Sequence, residues 1–332
     1  MDQTPQQPVE SQSGYRIIDR LRLDSALERT ALRDGLFAQP ATIAPKYFYD
    51  ELGCALFGAI CALPEYYPTR TEMAIFREHH RDIATAIGAG KQLIDLGAGD
   101  CAKAASWLPY LRPSRYIAVD IARAPLAKAL AALAPEFPDI DMVGIVTDFA
   151  RTLDLGDALE RRDNAPATFF YPGSSIGNFS PDEALAFLQR IHAHCAIAGS
   201  GLLIGVDAKK DRRVLEAAYD DSVGVTAAFN RNVLAHVNRL LNSDFDPAAF
   251  AHQARYDDAA GRIEMHLEAV TSQKVTIDGR VRTFERGELI HTEDSYKYAP
   301  AEFEAMLRSA GFASICRWQD VEQKFSVFYA AA

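Results

Sequence analysis

The sequence predicts an α/β fold organised on a parallel sheet, and three observations carry that expectation. Five short apolar runs rich in β-branched residues, QLIDL, YIAVDI, MVGIVTDF, ATFFYPGSS and GLLIGVD, lie between Gln92 and Asp207 with helix-like segments between them. Strands that alternate with helices pair in parallel, because each helix returns the chain to the starting edge of the sheet. Between about Lys210 and Glu288 this rhythm stops, which marks an insertion. The end of the chain then returns to a helix stopped by Gly311 and two strands able to complete the sheet.

The remaining segments follow in chain order. The opening MDQTPQQPVESQSG is polar and lacks a basic stretch followed by an apolar one, so no export signal is expected and residues 1–18 are assigned to a flexible lead-in. From Ile17 to about Leu36 apolar residues recur at helical spacing, and after the linker AQPATIAPK a second helical stretch holds Leu52, Leu56, Phe57 and Ile60. Within the insertion, VTAAFNRNVLAHVNRLLN predicts a long helix and IEMHLEAVTSQKVTI a pair of strands.

Composition narrows the function classes. With 332 residues the chain exceeds the usual single domain, and 48% hydrophobic with 24% charged residues is a globular balance. A formal charge of -10 repels phosphate backbones, so nucleic acid is not an expected partner. No apolar run reaches the length of a membrane span, and five scattered cysteines without a CxxC pair suggest neither disulfides nor zinc. A cytoplasmic monomer acting on a small molecule is the expectation. The histidine pairs His79/His80, His192/His194 and His266/His291 lack metal-ligand spacing, so no metal is assigned.

The segment LIDLGAGDCAKA places Gly97 and Gly99 between a buried strand and a helix, where glycine lets a ligand approach the backbone. Ala102 completes G-x-G-x-x-A, so the loop alone also fits a dinucleotide, and Asp120 at the end of the next strand could hold the ribose of either cofactor. Two features favour S-adenosylmethionine: Asp95 ahead of the first glycine, and Asp148 with Phe149 closing the third strand. Asp120 would accept from ribose hydroxyls, Asp148 from the adenine amine, and Phe149 would pack near the ring.

At YFYDELGCALFGAICALPEYYPTRTE, LIDLGAGDCAKA, YPGSSIGNF, GVDAKKD to AAYDDSVGVTAAFNRNVL, RIEMHL and HTEDSYKY, the chain resembles the histidine Nα-methyltransferases of ergothioneine biosynthesis, from about Pro45 onward. The resemblance implies a Rossmann-like class I methyltransferase domain (74–207 and 295–332) with a discontinuous substrate-binding domain (19–73 and 208–294). It implies three methyl transfers from S-adenosylmethionine to L-histidine, giving hercynine. By the same likeness Gly97, Lys103, Asp120, Asp148 and Phe149 bind the co-substrate, while Asn178 and Tyr219 hold the carboxylate and amine. Tyr49 and Tyr66, with Phe57, form an aromatic wall; Glu293 and Ser295 grip the imidazole; Met265 lines the pocket; Gly173 and Ser175 belong to the loop leading to Asn178. Ser175 stands where many relatives have threonine, which keeps the hydroxyl. Tyr49 and Asn178 are the candidates for orienting the reacting amine. A methyltransferase of another amino acid or small amine, and a non-catalytic S-adenosylmethionine-binding protein, are the alternatives.

Overall fold

The computed structural model describes residues 9–12, 14–21, 25–159 and 165–332. Two short strands, β1 (Val9–Gln12) and β2 (Tyr15–Asp19), precede α1 (Ser25–Phe37), β3 (Ala41–Thr42), α2 (Glu51–Cys61) and the long α3 (Tyr67–Ile87). The alternating part follows as β4 (Gln92–Leu96), short α4 (Ala102–Ala105) and α5 (Leu108–Leu111), β5 (Arg115–Asp120), α6 (Arg123–Leu133), β6 (Asp141–Val146), β7 (Ala167–Tyr171), α7 (Pro181–His194) and β8 (Gly201–Asp207). The insertion holds α8 (Arg212–Tyr219), α9 (Val225–Leu241), β9 (Phe250–Asp257), β10 (Arg262–Ala269), β11 (Gln273–Ile277), β12 (Arg280–Phe284) and β13 (Leu289–Tyr296). The chain closes with α10 (Pro300–Ser309), β14 (Ser314–Gln319) and β15 (Phe325–Ala331).

The main sheet has the strand order β1-β2-β6-β5-β4-β7-β8-β15-β14. Pairing is parallel from β2 through β8, and β15 inserts antiparallel between β8 and β14. Strands β4, β7 and β8 are buried along their whole length, which is why they read as unbroken apolar runs rather than as alternation. After β4 the chain winds outward to β5 and β6, then returns to β7 on the other side of β4. A crevice therefore opens at the carboxyl ends of β4 and β7, the place where open α/β sheets hold ligands.

A second sheet, β3-β13-β10-β9, packs with α2, α8 and α9 around its own core, which includes Phe48, Tyr67, Val233, Phe250, Ile263 and Leu267. The main sheet carries separate apolar clusters on its two faces.

Two expectations change. Ile17 and Ile18 are not helical: they lie in β2, paired in parallel with Gly144 and Ile145 of β6, and the helix starts at Ser25. Part of the 1–18 lead-in is thus sheet, while its residues 1–8 and 13 lie outside the described residues. The strands within IEMHLEAVTSQKVTI do not pair with each other: β10 joins β9 and β13, and β11 joins β12 in a separate hairpin. Local alternation marks a strand but not its partner.

Candidate active site

The turn after β4 supplies the first rim of the crevice. Gly97 and Gly99 have φ of 71° and 54°, left-handed values that a side chain disfavours. A Cβ at Gly97 would face the Phe149 ring at 3.7 Å, so that ring flanks the open turn. The Asp120 carboxylate at the end of β5 accepts from the Gly99 and Ala122 amides, each at 2.9 Å, and ties the glycine turn to the neighbouring strand. Burial raises its pKa, opposed by these amide bonds. Asp95 lies beneath the turn rather than on it: buried, it accepts from the Tyr116 hydroxyl at 2.8 Å and is pushed up to about 7 by desolvation. Asp148, half-buried just beyond the end of β6, has Lys46 at 3.5 Å.

Lys103 spans the crevice. Its ammonium meets Glu72 at 2.7 Å, and the other Glu72 oxygen accepts the Gly173 amide at 2.7 Å. Glu72, fully buried on α3, thus joins the loops that follow β4 and β7. Burial lowers the Lys103 pKa, but Glu72 outweighs it and the net shift is upward.

Beside this rim a cavity is lined by Tyr49, Phe57, Tyr66, Gly173, Ser175, Asn178, Tyr219, Met265, Glu293 and Ser295, with Ile60, Ser174, Ala218, Thr226 and Phe229 completing it. Its residues come from distant segments, each set by local chemistry. Tyr49 precedes α2, whose N-cap Asp50 accepts the Gly53 amide at 2.7 Å and the Asn232 amide group at 2.8 Å. Gly53 is required there because any Cβ would lie 1.7 Å from the Phe48 carbonyl. Tyr219 ends α8, with its carbonyl held by His252 at 2.8 Å. A register shift at Met265/His266 lets Met265 stand opposite Glu293 while His266 stands opposite His291.

The cavity has two chemically distinct sides. One is a chain of rings: Tyr49 lies 5.9 Å from Phe57, Phe57 lies 6.3 Å from Tyr66, and Tyr66 lies 6.1 Å from Tyr219. Burial raises the pKa of Tyr49 and Tyr66 well above the ordinary phenol value, so both present neutral hydroxyls. The other side carries Glu293 and Ser295, two residues apart on β13 and so on one face of it. Burial pushes Glu293 up to about 7 against the pull of Lys297 and a hydrogen bond from Asn178. The Tyr219 and Ser295 hydroxyls lie 2.8 Å apart.

Residues 28–332 match the family model described as histidine-specific methyltransferase, S-adenosylmethionine-dependent. The chain belongs to this family. Its co-substrate is therefore S-adenosylmethionine, which settles the ambiguity of the glycine loop. Histidine N-alpha-methyltransferase of Mycolicibacterium smegmatis is 40% identical, covering 93% of this chain and 97% of that protein. The protein of that name from Mycobacterium tuberculosis is 38% identical, with coverage of 91% and 94%. Ergothioneine biosynthesis protein 1 of Schizosaccharomyces pombe is 27% identical over 84% of this chain but only 37% of its own length.

In this methyltransferase the ring Phe229, 6.1 Å from both Tyr49 and Phe57, was not singled out by sequence. Nor was the polar layer behind the cavity. The Lys297 ammonium, 1% exposed, lies 2.9 Å from the Tyr219 hydroxyl, 2.7 Å from Ser295 Oγ and 3.1 Å from Asp207. Asp207 in turn accepts from Tyr67 at 2.7 Å and pairs with Lys210. A signal existed: Glu293, Ser295 and Lys297 share period-two spacing. Among the described residues no helix is long and apolar enough to cross a membrane.

Proposed function

We propose that this methyltransferase transfers methyl groups from S-adenosylmethionine to the α-amino group of L-histidine, three in succession, to give hercynine. The observation that carries this reading is the pairing, in one cavity beside the cofactor rim, of an acid–hydroxyl end at Glu293 and Ser295 with a ring wall of Tyr49, Phe57 and Tyr66. A neutral imidazole has one N–H and one bare nitrogen, and a carboxylate facing a hydroxyl answers both. The ring wall suits the other end, because each methylation removes an N–H and leaves a cation that aromatic faces stabilise by about 0.5 to 2 kcal/mol. Names of the relatives support the same acceptor.

The co-substrate supplies a methyl group already activated by its sulfonium. Gly97 leaves room for it, Asp120 and Asp148 offer acceptors, Phe149 offers a flat face, and Lys103 offers a cation. In-line displacement then depends on alignment and a dry site more than on a nucleophilic side chain. Asn178 and Tyr49 orient the amine so that its lone pair faces the cofactor rim. An α-amino group titrates near 8 in model compounds, so proton loss to water suffices and no dedicated base is required.

We assign residues 19–73 and 208–294 to the substrate-binding domain and 74–207 and 295–332 to the Rossmann-like domain. The segregated cores support this division, although β13 runs on to Tyr296. Product mass after incubation with labelled co-substrate and an equal mixture of amino acids tests the function. Trimethylated histidine is expected; another amino acid methylated while histidine stays unmodified would overturn it.

A further inference from the structure

The layer behind the cavity has a direct consequence for what the cavity can bind. The three protons of the Lys297 ammonium are matched by three acceptors: Tyr219 Oη at 2.9 Å, Ser295 Oγ at 2.7 Å and Asp207 Oδ2 at 3.1 Å. Ammonium only donates, so each hydroxyl oxygen accepts from behind and has its own proton left to give. The two hydroxyls lie 2.8 Å apart, so one of these protons bridges them. Both also line the cavity, where a ligand acceptor can take those protons instead.

We propose that Lys297 is a positioning and specificity-determining residue, which commits Tyr219 and Ser295 to act as hydrogen-bond donors toward the amino-acid substrate. It rests on the functional reading above. With Lys297 in place, this end of the cavity takes a carboxylate and an unprotonated ring nitrogen, and turns away a ring that offers only N–H. Asp207 keeps the ammonium in place: it lies fully buried at the end of β8, held by Tyr67, Lys210 and the Ser174 hydroxyl, which receives its backbone amide at 2.8 Å. Lys297 touches no reacting atom and acts through the two hydroxyls.

The test is calorimetric titration of L-histidine and of S-adenosylhomocysteine into the full-length wild type, Lys297→Met and Ser295→Ala, each alone and combined. Lys297→Met is expected to weaken histidine binding at least about tenfold while leaving cofactor affinity within about twofold. In the Ser295→Ala background the same change should cost less, because one of the two hydroxyls it organises is gone. Turnover should separate accordingly, with KM for histidine raised more than kcat is lowered. Equal histidine affinity in Lys297→Met, or losses that simply add in the double variant, would overturn the assignment. Lys297→Gln keeps a polar group beside Asp207 but can accept as well as donate, so it no longer fixes the direction of the two hydroxyls; it is read in place of Lys297→Met if that variant fails to bind cofactor, and the same two outcomes decide. Failure of the wild type to bind histidine would sink the functional reading instead.

Discussion

The cofactor rim and the acceptor cavity are built by different means. The rim is made of strand ends and the turns after them: Gly97, Gly99 and Asp120 occupy places that the parallel sheet creates by its own topology, and Asp120 is satisfied by backbone amides. The cavity is made of side chains drawn from α2, α8, α9, β10, β13 and the loop after β7, and it rests on a buried charge layer of Lys297, Asp207 and Lys210. A generic ligand can be held by geometry that recurs in many sequences. A particular acceptor needs polar groups held against their own cost of burial.

That contrast can be broken by substitutions that should act on one side only, and the largest effect is expected at Glu293. Glu293→Ala should weaken histidine binding by about 100-fold, the worth of a buried charge-assisted hydrogen bond, and leave S-adenosylhomocysteine affinity unchanged by calorimetry. Unchanged histidine affinity would remove Glu293 from the pocket. Asp120→Ala is the mirror experiment: a loss of cofactor affinity of about 30-fold, with an unaltered dissociation constant rejecting the ribose assignment.

The cost of building the cavity should be visible without any ligand. Glu293 is protonated in both folded and unfolded chains below its ordinary value of 4.5, ionises first in the unfolded chain, and ionises in the folded one only near 7. Wild-type stability is therefore lost as pH rises from about 4.5 to about 7, and Glu293→Gln escapes that loss. Denaturant titrations should show the glutamine variant gaining roughly 2 to 4 kcal/mol at about pH 8 relative to its difference at about pH 4. A constant difference would mean that the carboxyl titrates normally. The smallest effect belongs to the ring wall: Phe57→Leu should slow the last methyl transfer about fivefold, seen as accumulation of dimethylated product in a time course.

The same contrast governs how much was legible in sequence. Strands β4 to β8 announced themselves because burial on both faces leaves continuous apolar runs, and Gly97, Asp120 and Asp148 stood at their predicted ends. Ile17 and Ile18 were misplaced because a five-residue strand offers too few residues for period two to be told from period 3.6. Strand β10 was visible, but its partner β13 lies beyond an intervening hairpin that sequence spacing does not reveal. The cavity residues were named through resemblance alone, since Tyr49, Asn178 and Glu293 converge from segments more than 100 residues apart. Lys297 escaped because a lysine in HTEDSYKY reads as a surface residue until Asp207 is found beside it.

A complex with L-histidine and S-adenosylhomocysteine tests the account most directly. The imidazole should lie between Glu293 and Ser295, with the α-nitrogen facing the cofactor sulfur at about 5 Å, the span of one methyl group plus the approach needed for attack. An imidazole nitrogen facing the sulfur, with the α-amine against Glu293, would contradict it and assign methylation to the ring.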